Sequence, residues 1–163
     1  MIEDYIENYG RRLYGLCRKL CGDAYDAEDL YQETWLRVLR SFEKYNSACD
    51  FEKWAARICV NLFRDRWRRK KRSPVLDTFP SAEEKTQILE NVAAPEAEDY
   101  SMVHTAVAAL PEKQRVTVVL YYFNGFDTGA TARILRVPEG TVKSRLAAAR
   151  KRLKERLKDE ELF

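Results

Sequence analysis

Between Val142 and Leu157, apolar side chains return every three or four residues: Val142, Leu146, Ala149, Leu153 and Leu157. That period lays one stripe along a helix. Pro138, with its fixed φ and missing N–H, suits the first position of that helix. Gly140, Thr141, Lys143, Ser144, Ala147, Ala148 and Lys151 fall off the stripe and are small, hydroxylic or cationic. Thr128 to Leu135 predicts a short helix in front, with Arg136-Val137 as the turn, which completes a helix-turn-helix. Such a motif lays its second helix in the major groove, with early residues at base edges and flanking cations on phosphate. A lone basic amphipathic helix is more often a solvated surface. The short helix and turn ahead of this one point to DNA recognition.

Upstream, helical periods recur. Ile2 to Cys21 predicts a helix with Ile6, Tyr9, Leu13, Leu16 (or Cys17) and Leu20 inward. Gly22-Asp23 breaks it, and Asp23 or Asp26 can cap the next helix. That helix, Ala24 to Phe42, turns Ala27, Tyr31, Thr34, Trp35, Val38 and Phe42 inward and carries Asp29, Glu33, Leu36 and Arg40 outside. A leucine amid these charges reads either as an isolated exposed side chain or as part of a docking face. The polar loop Tyr45 to Asp50 leads into a third helix, Phe51 to about Lys71, with Phe51, Trp54, Ala55, Ile58 and Leu62 as its core stripe. Arg57, Asn61, Arg64 and Arg68 form a second stripe, and seven of the nine residues from Arg64 to Arg72 are cationic. With Trp54 and Trp67 close by, these cations suit single-stranded nucleic acid, which needs phosphate partners and stacking surfaces.

Residues 73–99 hold three of the five prolines and cannot build a core. Beyond them, helices are predicted over Tyr100 to Ala109 and Glu112 to Phe123, the latter with Val116, Val119, Leu120 and Phe123 inward, before a turn at Asn124-Gly125. Val116 to Phe123 is the only β-leaning run, and it also fits a buried helix. The fold class is all-α. Two small helical domains, residues 1–72 and 100–163, are joined by a flexible acidic linker, and the second is a helix-turn-helix (winged-helix-like) unit.

The net charge of +3 conceals an uneven distribution. Residues 1–72 carry 16 basic and 12 acidic side chains, residues 73–99 carry 1 and 7, and residues 100–163 carry 12 and 7. Two basic blocks around an acidic connector suggest two contacts with a polyanion. No apolar run approaches the ~18 residues of a membrane span, and the acidic start MIEDYIENYG lacks the order of a secretory signal. A cytoplasmic location is expected. Cys17, Cys21, Cys49 and Cys59 show no CxxC spacing and His104 is the single histidine, so the cysteines read as small buried hydrophobes in a reduced compartment. No catalytic constellation, metal site, cofactor motif or small-molecule site is predicted: the chain has no phosphate-binding glycine loop and no HExxH.

Three separated segments, in order, resemble the sigma-70 family of bacterial RNA polymerase initiation factors, in its small extracytoplasmic-function type. DAEDLYQETWLRVLRSFEKYN (Asp26 to Asn46) is similar to region 2.1–2.2, and FEKWAARICVNLFRDRWRRKKR (Phe51 to Arg72) to regions 2.3–2.4. ALPEKQRVTVVLYYFNGF (Ala109 to Phe126) and ILRVPEGTVKSRLAAARKRLKERL (Ile134 to Leu157) are similar to region 4. The resemblance implies an initiation factor that binds core polymerase, recognises −35 and −10 elements and promotes melting. It implies that Asp29, Gln32, Glu33 and Leu36 dock on the β′ clamp helices, and that the Glu112 to Phe123 region meets the β flap. Asn46 to Phe51 (Asn46, Ser47 and Phe51 among them), with Arg57, Asn61, Arg64 and Arg68, would hold the single strand at −10. Thr141, Lys143, Ser144, Arg145, Ala147, Ala148 and Lys151 would face the −35 duplex. The acidic linker would thread the channel that later carries RNA, and an anti-sigma factor is a further implied partner.

The chain departs from the family pattern at Thr128-Gly129-Ala130-Thr131, where an aromatic, two acids and an isoleucine are usual, and at Arg136, where glycine is common. Gly129 inside a helix costs ~1 kcal/mol relative to Ala. A less stable first helix is therefore expected. With Ala147 and Ala148 in place of larger side chains, readout should lean on shape, thymine methyls and backbone. The alternative is a stand-alone helix-turn-helix regulator, which would need neither the Asp29 to Arg40 stripe nor the basic third helix. A nuclease or recombinase would need a carboxylate or tyrosine cluster.

Overall fold

The protein is described from a computed structural model, covering residues 2–72 and 101–161. The linker assigned to residues 73–99 lies outside the described residues. Helix α1 spans Ile2–Cys21, α2 Ala24–Ser41 and α3 Phe51–Arg72, with a 3-10 turn at Phe42–Lys44 between α2 and α3. After the linker come α4 (Ser101–Ala108), α5 (Glu112–Val118), a π-helical turn (Val119–Phe123), α6 (Thr128–Leu135) and α7 (Glu139–Glu161). No strand occurs among the described residues, in keeping with the all-α fold class.

Helices α1, α2 and α3 pack together because each buries one stripe: Leu13, Leu16, Cys17 and Leu20 on α1; Ala27, Leu30, Thr34, Trp35 and Val38 on α2; Ala55, Ala56, Cys59, Val60, Leu62 and Phe63 on α3. Ile6, expected inside, is 40% exposed, and Leu30 replaces Tyr31 as the buried residue of its turn. Gly10 lets α2 come close, since a Cβ there would stand 3.1 Å from the Tyr31 hydroxyl oxygen. At the end of α1, Gly22 takes a positive φ of 74° and its N–H bonds Arg18 O at 2.9 Å, a glycine C-cap. Asp23 is the cap of α2, its carboxylate accepting from the N–H groups of Tyr25 (2.7 Å) and Asp26 (3.3 Å).

In the second unit, Val142, Leu146 and Ala149 of α7 are fully buried against α5 and α6. Residues 119–123 widen into a π turn, with Asn124 N–H bonding Val119 O at 3.1 Å. The sequence departures in α6 are accommodated. Asp127 caps it, accepting from Ala130 N–H at 2.7 Å, and buried Thr131 sends its hydroxyl to Phe126 O at 3.4 Å. Arg136 takes the left-handed conformation (φ 57°, ψ 46°) that glycine usually supplies at a helix end, and its N–H still reaches Ala132 O. Thr128 donates its hydroxyl to Glu139 at 2.6 Å, which ties α6 to the start of α7.

The two units are not separate beads. Helices α1 and α3 contact α4, α6 and the π turn, and the apolar interior is continuous across them. Arg115, which an apolar period could not flag, is 7% exposed: its Nη1 donates to Leu20 O (3.0 Å), its Nη2 to Leu110 O (3.2 Å), and its guanidinium lies 5.2 Å from the centre of the Trp67 ring. Loss of a helix cap costs about 1 kcal/mol. Asp127→Ala should therefore destabilise the protein by about that amount, read as a lower urea midpoint with an unchanged slope.

Candidate nucleic-acid interface

On α7, burial of Val142, Leu146 and Ala149 fixes which side faces out. Lys143, Ser144, Ala147, Ala148 and Lys151 are exposed on that side, and Thr141 is half-buried. Pro138 is the residue before the helix rather than its first position, its carbonyl accepting from Thr141 N–H (3.0 Å) and Val142 N–H (3.3 Å). Ser144 turns its hydroxyl back to Thr141 O at 3.0 Å, so in this state its oxygen offers lone pairs outward. The two alanines leave a flat, low surface between cations. Arg145 lies apart from this set. It is half-buried beside Arg64 and Glu112, and burial first, then the Arg64 charge, lowers its pKa while Glu112 opposes the shift.

On α3, Asn61 and Arg68 are exposed and Arg57 and Arg64 half-buried. Arg64 reaches Glu112 of α5 at 3.5 Å, and Arg68 lies 3.9 Å from Asp65. The cationic run divides: Arg66 pairs with Glu33, and Lys70 with Asp26 at 3.0 Å, so both turn back to α2. Trp67, expected as a stacking surface, has Arg115 and Lys71 over its ring. Its apolar face is occupied from within the chain.

The loop ahead of α3 is braced. Asn46 accepts from Ala48 N–H at 3.0 Å through its side chain and from Cys49 N–H at 2.9 Å through its carbonyl. Tyr45 donates its hydroxyl to Cys49 O at 2.6 Å, and Asp50 caps α3 through Glu52 N–H at 2.9 Å. Asn46 and Ser47 are exposed at the crest. Phe51, assigned by resemblance to strand contact, is 3% exposed. Its ring packs at 4.4 Å from Tyr5 and 5.0 Å from Tyr9, so it is a core residue supporting the loop from beneath.

Helix α2 presents Asp29, Gln32 and Leu36 to solvent, Leu36 at 53% exposure. Glu33 stands at the edge of this face in its pair with Arg66. Tyr25 and Leu39 are also exposed, and at about 100° per residue they share the side of Leu36. Neither lies on the charged stripe of Asp29, Glu33, Leu36 and Arg40, so a period that follows charge does not reveal them.

Cys17 and Cys59 are buried with their sulfurs 3.5 Å apart, Cys21 is half-buried and Cys49 is exposed on the loop, which corrects the uniform burial expected for the four. The contact with Cys59, then burial, pushes the Cys17 thiol far up, and burial pushes Cys21 up to about 12. Cys17 and Cys21 are protonated at neutral pH and act as apolar filler.

Residues 5–73 match the Sigma-70 region 2 family and residues 100–153 the Sigma-70, region 4 family. The chain is 30% identical to the ECF RNA polymerase sigma factor SigW of Bacillus subtilis, over 96% of this chain and 88% of that protein. It is 34% identical to the ECF RNA polymerase sigma factor SigM of Mycobacterium tuberculosis, over 93% of this chain and 74% of that protein. Among solved structures it superposes on the sigma factor RpoE of Bartonella quintana, determined in complex with the anti-sigma factor NepR, with a TM-score of 0.77 at 23% identity and 96% of each chain covered. With two regional matches spanning most of its length and relatives of this similarity, the chain belongs to the sigma-70 family, in its ECF branch.

Proposed function

We propose that this chain binds core RNA polymerase, directs it to promoters through −35 and −10 elements, and stabilises the opened strand. The observation that carries the polymerase role is the α2 face, where Leu36, with Tyr25 and Leu39 beside it, stands exposed among Asp29, Gln32 and Glu33. A regulator that only binds duplex DNA has no use for such a face. Exposed apolar groups rimmed by polar ones mark protein docking.

The division of labour follows from chemistry. On α7, Lys143 and Lys151 would neutralise phosphates while Thr141, Ser144, Ala147 and Ala148 meet base edges. With no long reading side chain there, specificity would come from methyl contact, hydroxyl hydrogen bonds and groove shape. Arg145 would join them once freed from the Arg64 and Glu112 neighbourhood. On the first unit, the crest Asn46-Ser47, supported by Phe51, would receive an unstacked base, with Arg57, Asn61, Arg64 and Arg68 along its strand. Binding energy alone would drive opening, and no step calls for bond chemistry by the chain. The anti-sigma partner belongs to the same reading, supported by the solved relative bound to NepR.

The deciding experiment is run-off transcription with purified core polymerase and a pool of promoter fragments. New starts that depend on the protein and share two upstream elements are expected, and Leu36→Asp should abolish them while leaving duplex binding intact. Duplex binding without transcripts would instead favour the stand-alone regulator. Each phosphate contact contributes ~0.9 to the salt dependence of affinity, so Lys143→Ala should flatten the log–log slope for −35 duplex by about that amount; an unchanged slope removes Lys143 from the interface. Asn61→Ala should leave duplex affinity unchanged and reduce permanganate reactivity at −10, and normal reactivity would take Asn61 out of strand capture.

A further inference from the structure

Glu139 is the first residue of α7 and the only acidic side chain of that helix before Glu155. It is exposed, one turn ahead of Lys143 and about 40° round the helix from it at 100° per residue. Gly140 follows, and a Cβ added there would meet nothing within 4 Å. Gly140, Ser144, Ala147 and Ala148 thus form a low track of small residues beside the carboxylate, on the side that burial of Val142, Leu146 and Ala149 turns outward. A duplex laid along that track comes close to the N-terminal end of the helix, where a helix-turn-helix meets base edges. Glu139 is also held in place. Thr128, half-buried at the start of α6, donates its hydroxyl to Glu139 Oε1 at 2.6 Å. Asp127 fixes that start in turn, capping α6 through Ala130 N–H at 2.7 Å. A carboxylate accepts at two oxygens, so one donor from Thr128 orients it and leaves capacity for another.

DNA phosphates repel a carboxylate, which settles against a duplex only where a donor meets it. The major groove offers two kinds, the N4 amino group of cytosine and the N6 amino group of adenine. Adenine sets its N7 acceptor beside the amine and so repels the second carboxylate oxygen, whereas cytosine presents only a C–H there. We propose that Glu139 is a specificity-determining residue that accepts a hydrogen bond from cytosine N4 in the −35 duplex, with Thr128 as the residue that positions its carboxylate. This rests on the reading of α7 as the −35 recognition helix. Phosphate contacts by Lys143 and Lys151 place the helix without reading sequence. Glu139 supplies a direct readout that the alanines lack. Its charge works in both directions: opposite cytosine it gains a bond, and opposite thymine or guanine it confronts acceptors and is excluded. The bridge to Thr128 keeps the side chain from swinging into solvent to escape a wrong base.

The test is selection from a pool of promoter-length duplexes of randomised sequence by the full chain bound to core polymerase. Affinities for single-base variants of the selected upstream element follow. The natural chain should select a cytosine at one position of that element, and replacing it should weaken binding about tenfold. Glu139→Gln should move the preference there to adenine, whose N6 and N7 suit a glutamine amide, and Glu139→Ala should accept all four bases alike. Thr128→Val should lower the cytosine preference several-fold with the salt slope of binding unchanged, and Thr128→Ser should retain it. Circular dichroism and urea midpoints check that each variant is folded. If Glu139→Gln and Glu139→Ala select the same element as the natural chain, or bind every duplex more tightly by one common factor, the inference is overturned and the −35 reading stands. Full cytosine preference in Thr128→Val overturns the positioning role. If the natural chain selects no upstream element, the −35 reading fails and the inference falls with it.

Discussion

The arrangement of the two helical units depends on one buried guanidinium. Arg115 rises from α5 to the end of α1, where the last carbonyls of a helix lack partners and the helix dipole is negative. It satisfies Leu20 O there and Leu110 O on its own side, and covers the Trp67 ring. Burial opposes its charge, with Cys21 and Glu112 acting the other way. An arginine keeps its proton in such a place, so the cost of desolvation must be met by these partners. Its Nε has no partner among the described residues, which leaves the bargain incomplete. A contact so dependent on geometry holds when the units meet correctly and has little to offer when they separate.

Within each unit, precision comes from caps and side-chain braces rather than from a large core. Asp23, Asp50 and Asp127 each satisfy N–H groups at the start of a helix. The loop at Asn46 is pinned by its own amide, by Tyr45 and by the aromatic ring of Phe51 below. Pre-ordering of this kind lowers the entropy lost when a flexible strand is captured, because the protein side is already in place.

Helix positions were legible from periodicity, since each helix buries one stripe and the breaks at Gly22, Pro111 and Pro138 are explicit. The helix-turn-helix is equally readable from Thr128 onward, even though Arg136 stands where glycine is common; the backbone accepts its left-handed conformation, and the Asp127 cap emerges only in the structure. What the sequence concealed were interactions between distant segments. Arg115 and Arg64 look alike as letters, yet one is a structural anchor and the other a half-buried group turned toward Glu112. Arg66 and Lys70 belong by pattern to a cationic run, but their partners 33 and 44 residues away pull them out of it. Trp67 reads as an available aromatic because composition cannot say which faces are already covered, whereas Phe51, on the core stripe by its period, takes a strand role only from the resemblance. Pairing is a property of three dimensions, and a one-dimensional period recovers only the side that faces the core.

The bridges from Glu33 to Arg66 and from Asp26 to Lys70 have a mechanical consequence. They fasten α2 to α3 at two points along their length, above a shared apolar seam. Whatever grips the Leu36 side of α2 thus also fixes the position of Asn61 and Arg68 across the pair. On the proposed reading, the spacing of these two helices sets how far a strand held at Asn61 and Arg68 lies from a partner anchored at Leu36.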